Sequence, residues 1–123
     1  MTLLGRWLTM VTVRGHSMSP TLHDQQRLLV RRPRRPPRRG DVVVFTVPGT
    51  LADETDPPYR VKRVAAIGGD LVPGWLAETM PGIAHVPAGH VVVVGDNKRS
   101  QDSRHLGLVA VADIIGTVPI PAT

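Results

Sequence analysis

Leu8-Thr9-Met10-Val11-Thr12-Val13-Arg14-Gly15-His16-Ser17-Met18-Ser19-Pro20-Thr21-Leu22 reads as a strand followed by its interruption. The run from Leu8 to Val13 is apolar and partly β-branched, as a strand requires; it breaks at Gly15, and Pro20 prevents a regular element from resuming. Ser17 therefore falls at an exposed strand end, where backbone N–H groups are left over by the ladder and can face a carbonyl oxygen. Most serines after a glycine are turn residues and nothing more. A hydroxyl becomes a nucleophile only when a base takes its proton, so the rest of the chain has to be searched for that base.

The chain has 123 residues, enough for a single domain over 1–123 with one modest core. Hydrophobic residues make up 41% and charged residues 20%, and twelve prolines and twelve glycines are spread between apolar runs, a distribution that predicts short strands joined by turns. There is no cysteine, which excludes disulfides and thiolate metal sites. His16, His23, His85, His90 and His105 lack the close spacing of a metal-binding pair, so no metal and no cofactor is expected.

The net charge of +5 is concentrated in residues 31–39, Arg-Arg-Pro-Arg-Arg-Pro-Pro-Arg-Arg. The plain interpretation is a solvated Arg/Pro-rich loop. A sharper one is peripheral contact of Arg31, Arg32, Arg34, Arg35, Arg38 and Arg39 with an anionic membrane. Nucleic acid is not expected as a partner, because no aromatic residue interleaves the basic run to stack on bases.

Lead-in residues 1–14 carry Arg6 inside their apolar part and are too short to span a bilayer, and no signal-peptide layout is visible. Localisation is therefore left between soluble and peripheral to a membrane.

Further strands are predicted over Arg27–Val30, Val42–Val47, Tyr59–Ile67, Val91–Val94 and Ile114–Val118. Residues 49–58 read as an exposed loop, 71–90 as a β-meander with room for one helical turn over Trp75–Met80, and 95–104 as a polar loop. In Tyr59–Ile67, alternation puts Arg60, Lys62 and Val64 on one face, so one face carries a basic residue toward packed surface. The ordinary fate of such a lysine is to snorkel to solvent.

Four segments, in order, resemble the type I signal peptidase family of serine endopeptidases, peptidase S26. They are Gly15-His16-Ser17-Met18-Ser19-Pro20-Thr21-Leu22; Gly40-Asp41-Val42-Val43-Val44-Phe45; Tyr59-Arg60-Val61-Lys62-Arg63-Val64 with Gly69-Asp70; and Gly95-Asp96-Asn97 with Ser100-Gln101-Asp102-Ser103-Arg104 and Gly107. The resemblance implies an all-β, mainly antiparallel, barrel-type core of the kind shared with LexA. It implies Ser17 as nucleophile and Lys62 as general base, with Ser100 orienting the lysine and Asp102 paired to Arg104 as a brace. The oxyanion would be held by the Ser17 N–H, with Gly15, His16, Met18 and Pro20 around the oxyanion and substrate. Its substrate would be a precursor protein or leader peptide.

A free lysine, with a pKa of about 10.4, is almost wholly protonated at pH 7. Serving as a base requires burial against apolar surface and an amine kept from direct contact with Asp102; Arg104 would occupy that acid. His16 is no substitute, since adjacent side chains on an extended segment point apart, and it is expected to meet solvent or substrate.

The chain departs from the family pattern at Gln25-Gln26, where a glycine-aspartate is common, and at Gly15, where a serine often assists the oxyanion. The segment between Asn97 and Ser100 is one residue shorter than the commonest form. The extra β domain and N-terminal anchor of larger members are not visible. Alternatives weighed beside removal of signal or leader peptides are a maturation protease dedicated to one precursor, such as that of nickel superoxide dismutase, a LexA-like regulatory module, and an inactive homologue.

Overall fold

The computed structural model describes residues 2, 3, 5, 7–47, 59–100 and 102–119. The loop predicted over 49–58, with Pro48 before it, and Gln101 lie outside the described residues.

Eight strands form one antiparallel sheet: β1 (Thr2–Leu3), β2 (Leu8–Thr12), β3 (Arg27–Arg31), β4 (Val42–Thr46), β5 (Tyr59–Ile67), β6 (His90–Val94), β7 (Val109–Ala110) and β8 (Ile114–Val118). Their spatial order is β1-β2-β3-β8-β4-β5-β6-β7, which makes the fold all-β, with two single-turn helices, α1 (Gly74–Ala77) and α2 (Ser103–Leu106), as its α-helical parts. The last strand is inserted between β3 and β4 and joins the N-terminal hairpins to the rest of the sheet. Glycine at position 116 permits that insertion, because a Cβ there would run into the Arg31 carbonyl and the Val30 side chain of β3.

Three apolar clusters fill the interior. The first gathers Val11, Val13, Leu28, Val30, Val42 and Val44 with Met18 and Leu22 from the turn that follows β2. A second joins Val43, Phe45, Val64, Val91 and Val93, and a third holds Leu76 and Val86 against Ala66 and Val92. Strand β4 contributes to two of them, because Val42 through Phe45 are buried on both faces. A register shift between Val64 and Ala66 bends β5 against β6 just beyond Lys62.

Several boundaries differ from the sequence expectations. The lead-in over 1–14 contains two paired strands, Thr2 facing Met10 and Leu3 facing Thr9. Arg31 pairs with Thr117 and belongs to β3, so the Arg/Pro-rich loop begins at Arg32. In 71–90 the helical turn is present, and before His90 strand pairing is a single bridge between Leu71 and His85, flanked by the Val86 N–H donating to the Asp70 carbonyl at 2.8 Å and the Val72 N–H donating to the Ala84 carbonyl at 3.0 Å; Pro73, Pro81 and Pro87 lack the N–H that a longer ladder would use. The polar loop over 95–104 ends in helix α2, capped by Asp102, whose carboxylate accepts from the Arg104 N–H at 2.8 Å.

Candidate active site

Ser17 sits on a turn that is tied down on every side. Its neighbour Met18 is 1% exposed and Leu22 is buried, so both anchor the turn in the first apolar cluster. Gly15 has φ +87° and donates its N–H to Asp24 Oδ1 at 2.8 Å, a conformation open to glycine and strained for other residues. That bond lowers the Asp24 pKa. At the far end of the turn, Gln25 takes the left-handed conformation (φ 70°) and donates its N–H to the Val13 carbonyl at 2.8 Å. The turn thus closes in spite of the missing glycine.

Residues 95–97 hold the turn from the other side. The Asn97 side-chain amide donates to the His16 carbonyl at 3.0 Å, and its backbone N–H donates to the Ser17 carbonyl at 2.9 Å. Thr21 Oγ1 donates to Asp96, which also accepts from Arg63 Nε at 2.8 Å and Nη2 at 2.7 Å. These bonds, Arg63 first, lower the Asp96 pKa, and the same pairing raises that of Arg63. Gly95 lets the strands approach: a Cβ there would collide with the Ser17 carbonyl and Ser100. The Ser17 turn is therefore fastened to β5 next to Lys62.

Lys62 does not snorkel. It is 2% exposed and faces Val43 across the β4–β5 ladder, beside Val64 of its own strand. Burial first, and the charge of Arg60 second, pull its pKa from 10.5 down to about 8, against an opposing pull from Asp102. The lysine is thus prepared to lose its proton near neutral pH, because an ammonium in apolar surroundings loses its hydration.

A cleft of about 290 Å³ brings the groups together: Gly15, His16, Ser17, Lys62, Asn97 and Ser100 all line it. Ser100 Oγ donates to the Asn97 carbonyl at 2.7 Å. With its single proton committed there, the hydroxyl retains only acceptor capacity toward other groups. Among the described residues the Ser17 N–H has no acceptor. His16 is exposed at the rim. Met18 lies in the core and Pro20 on the exposed side of the turn, and neither borders the cleft.

Asp102 is held away from the lysine by a forked pair with Arg104, Nη2 to Oδ2 at 3.0 Å and Nε to Oδ1 at 3.1 Å. Burial works against the Asp102 carboxylate, but the Arg104 hydrogen bonds outweigh it and its pKa is lowered. Arg104 in turn lies 5.7 Å from the Trp75 ring centroid. Ser103, fully buried, accepts the Val93 N–H at 2.9 Å and fixes α2 on β6.

Sequence reasoning assigned no role to Thr21, Asp24, Arg63, Asp96 or Asn97. The signal for Arg63 was present in the β5 alternation, which sends it to the face opposite Lys62. Its acid partner is 33 residues away and could not be chosen from spacing.

Comparison with known proteins agrees over the whole chain. The profile of the family described as signal peptidase, peptidase S26, matches residues 1–74 and 73–123. Signal peptidase I of Bacillus caldolyticus is 32% identical, over 86% of this chain and 74% of its own. Signal peptidase I of Bacillus licheniformis is 33% identical, over 85% and 71%, and signal peptidase IB of Staphylococcus aureus (strain COL) 29%, over 94% and 78%. With a buried lysine and a tethered serine sharing one cleft of an antiparallel sheet, and these matches from end to end, the chain belongs to the signal peptidase family, peptidase S26.

Proposed function

We propose that this peptidase removes signal or leader peptides from precursor proteins, with Ser17 as nucleophile and Lys62 as general base. The observation that carries the reading is the burial of Lys62, whose pKa lies near 8, on the cleft that Ser17 lines. Neutral Lys62 takes the Ser17 Oγ proton as the oxygen attacks the scissile carbonyl, and the developing oxyanion meets the Ser17 N–H. Collapse forms an ester on Ser17 and breaks the peptide bond; the leaving amine takes the proton from the Lys62 ammonium. Water then attacks the ester, giving its proton to Lys62, and Ser17 regains a proton as the acid product leaves.

Ser100 serves as the orienting group: accepting one amine hydrogen from Lys62 leaves the nitrogen lone pair for the Ser17 hydroxyl. Asp102 and Arg104 act as positioning residues, each neutralising the other so that no free carboxylate holds the proton on the base.

Peripheral contact with anionic membrane belongs to the same reading. Arg31, Arg32, Arg34, Arg35, Arg38 and Arg39 are all exposed, and of them Arg35 also pairs with Asp41 at 2.9 Å and Arg39 with Asp70 at 3.4 Å. The other four are the arginines to contribute, each by about 1 kcal/mol at an anionic surface. Among the described residues no helix is long and apolar enough to cross a membrane.

The test is labelling of Ser17 by a serine-reactive acylating probe, together with cleavage of a leader peptide across pH. Cleavage is expected to rise with pH through about 8 and to vanish in Ser17→Ala. Full activity in Ser17→Ala, or a pH-independent rate with chemistry limiting, would overturn the assignment.

A further inference from the structure

The charges around the cleft carry a statement about its substrate. Arg14, Arg60 and Arg99 all border it, and among the described residues no aspartate or glutamate does. Elsewhere in the described fold four arginines are matched with acids: Arg35 with Asp41, Arg39 with Asp70, Arg63 with Asp96 and Arg104 with Asp102. Arg14 and Arg99 are exposed and have no carboxylate partner among the described residues; the Arg14 guanidinium reaches the neutral Gln25 side chain at 3.2 Å. Asp24, the nearest acid in sequence, is used by the Gly15 N–H and by Gln25.

We infer that the cleft selects substrates carrying acidic side chains within a few residues of the cut, with Arg14 and Arg99 as the specificity-determining residues. This rests on the peptidase reading and names the substrate class for the same site. Guanidiniums at a concave surface suit carboxylates for two reasons: they offer paired donors in a planar fork, and the low-dielectric walls focus their field on whatever enters. A basic side chain in the same place would face the guanidiniums of Arg14 and Arg99, which no carboxylate among the described residues neutralises.

The experiment uses the full chain and three fluorogenic leader peptides that differ only in carrying Glu, Gln or Lys at the residues flanking the cut, with probe labelling of Ser17 run in parallel. The expected order of kcat/KM is Glu above Gln above Lys. The Glu-to-Lys ratio should be about tenfold or more at low salt and shrink toward one at about 1 M salt. It should also collapse in the Arg14→Gln, Arg99→Gln double variant. A ratio near one at low salt in protein that labels at Ser17 overturns the preference and leaves the peptidase reading intact. So does a ratio unmoved by the double variant, or labelling with no cleavage of the Glu peptide. Absence of both labelling and cleavage overturns the peptidase reading, and the preference with it.

Discussion

Lys62 and Arg63 are consecutive cations on β5, yet they meet opposite environments. Arg63 keeps its charge by finding an acid: Asp96 takes two of its nitrogens, and its third goes to the Gly40 carbonyl at 2.8 Å. Lys62, on the other face, is enclosed by valines with its pKa brought down to about 8. One face of the strand uses a cation to hold the molecule together, and the other keeps an amine away from water. The difference teaches that the buried amine proposed as base sits beside ion pairs that brace the same turn, since the Arg63–Asp96–Thr21 link fixes the Ser17 segment.

Making the two sites alike is the sharpest way to break this contrast. Lys62→Arg places a guanidinium that cannot lose its proton where a neutral base is needed. Cleavage is expected to fall by on the order of 10³-fold or more, measured as kcat/KM on a leader peptide. Retained activity would show that no neutral group is required at this position.

Removing the charge separates stability from activity. The depressed folded-state pKa of Lys62 means that the unfolded chain binds the extra proton between about pH 8 and 10.5, so wild-type stability rises with pH across that window. Lys62→Met is therefore expected to be inactive and to gain about 3 kcal/mol at pH 7. The gain should disappear as pH climbs past the unfolded lysine value, which denaturant unfolding at pH 7 and above 10 would measure.

On the other face the sign reverses. Asp96→Asn weakens the links to Arg63 and Thr21, both part-exposed, and is expected to cost about 1–2 kcal/mol at neutral pH. The Asp96 pKa lies below its unfolded value, so its contribution is present above the ordinary carboxylate range. The cost of the substitution should fade as pH falls through the folded-state pKa, where wild type loses the pair as well.

The smallest effect concerns Asp102, which raises the Lys62 pKa from a distance. Asp102→Asn preserves an acceptor for the Arg104 N–H at the α2 cap, so the fold is expected to hold within about 1 kcal/mol. The activity midpoint should move to lower pH, read from the pH profile of kcat/KM. A move to higher pH would show that Asp102 does not hold the proton on Lys62.

The strands were legible where apolar runs were continuous, as in Val42–Thr46 and Ile114–Val118, because burial of valine and isoleucine leaves little choice of element. Short elements escaped. Neither Thr2–Leu3 nor Val109–Ala110 carries enough residues for a period, and each exists because a neighbouring edge supplies partners. Helix α2 was hidden inside a polar loop: His105 occupies the position where a capping box more commonly has Glu or Gln.

For the site, the sequence marked Ser17 as a strand-end serine and showed that one face of Tyr59–Ile67 carries a basic residue toward packed surface, while the pairing of Ser17 with Lys62 as its base came only with the resemblance to the signal peptidase family. The sequence could not decide whether Lys62 reached solvent, since a snorkelling lysine and a buried one share the same local pattern. Only the sheet order decided that. Inserting β8 beside β4 and laying β4 and β6 against β5 closes apolar surface over Lys62, while residues 95–97 arrive to fasten the Ser17 turn alongside. Alternation is a property of one strand, whereas the dielectric around an amine is set by every chain segment packed near it.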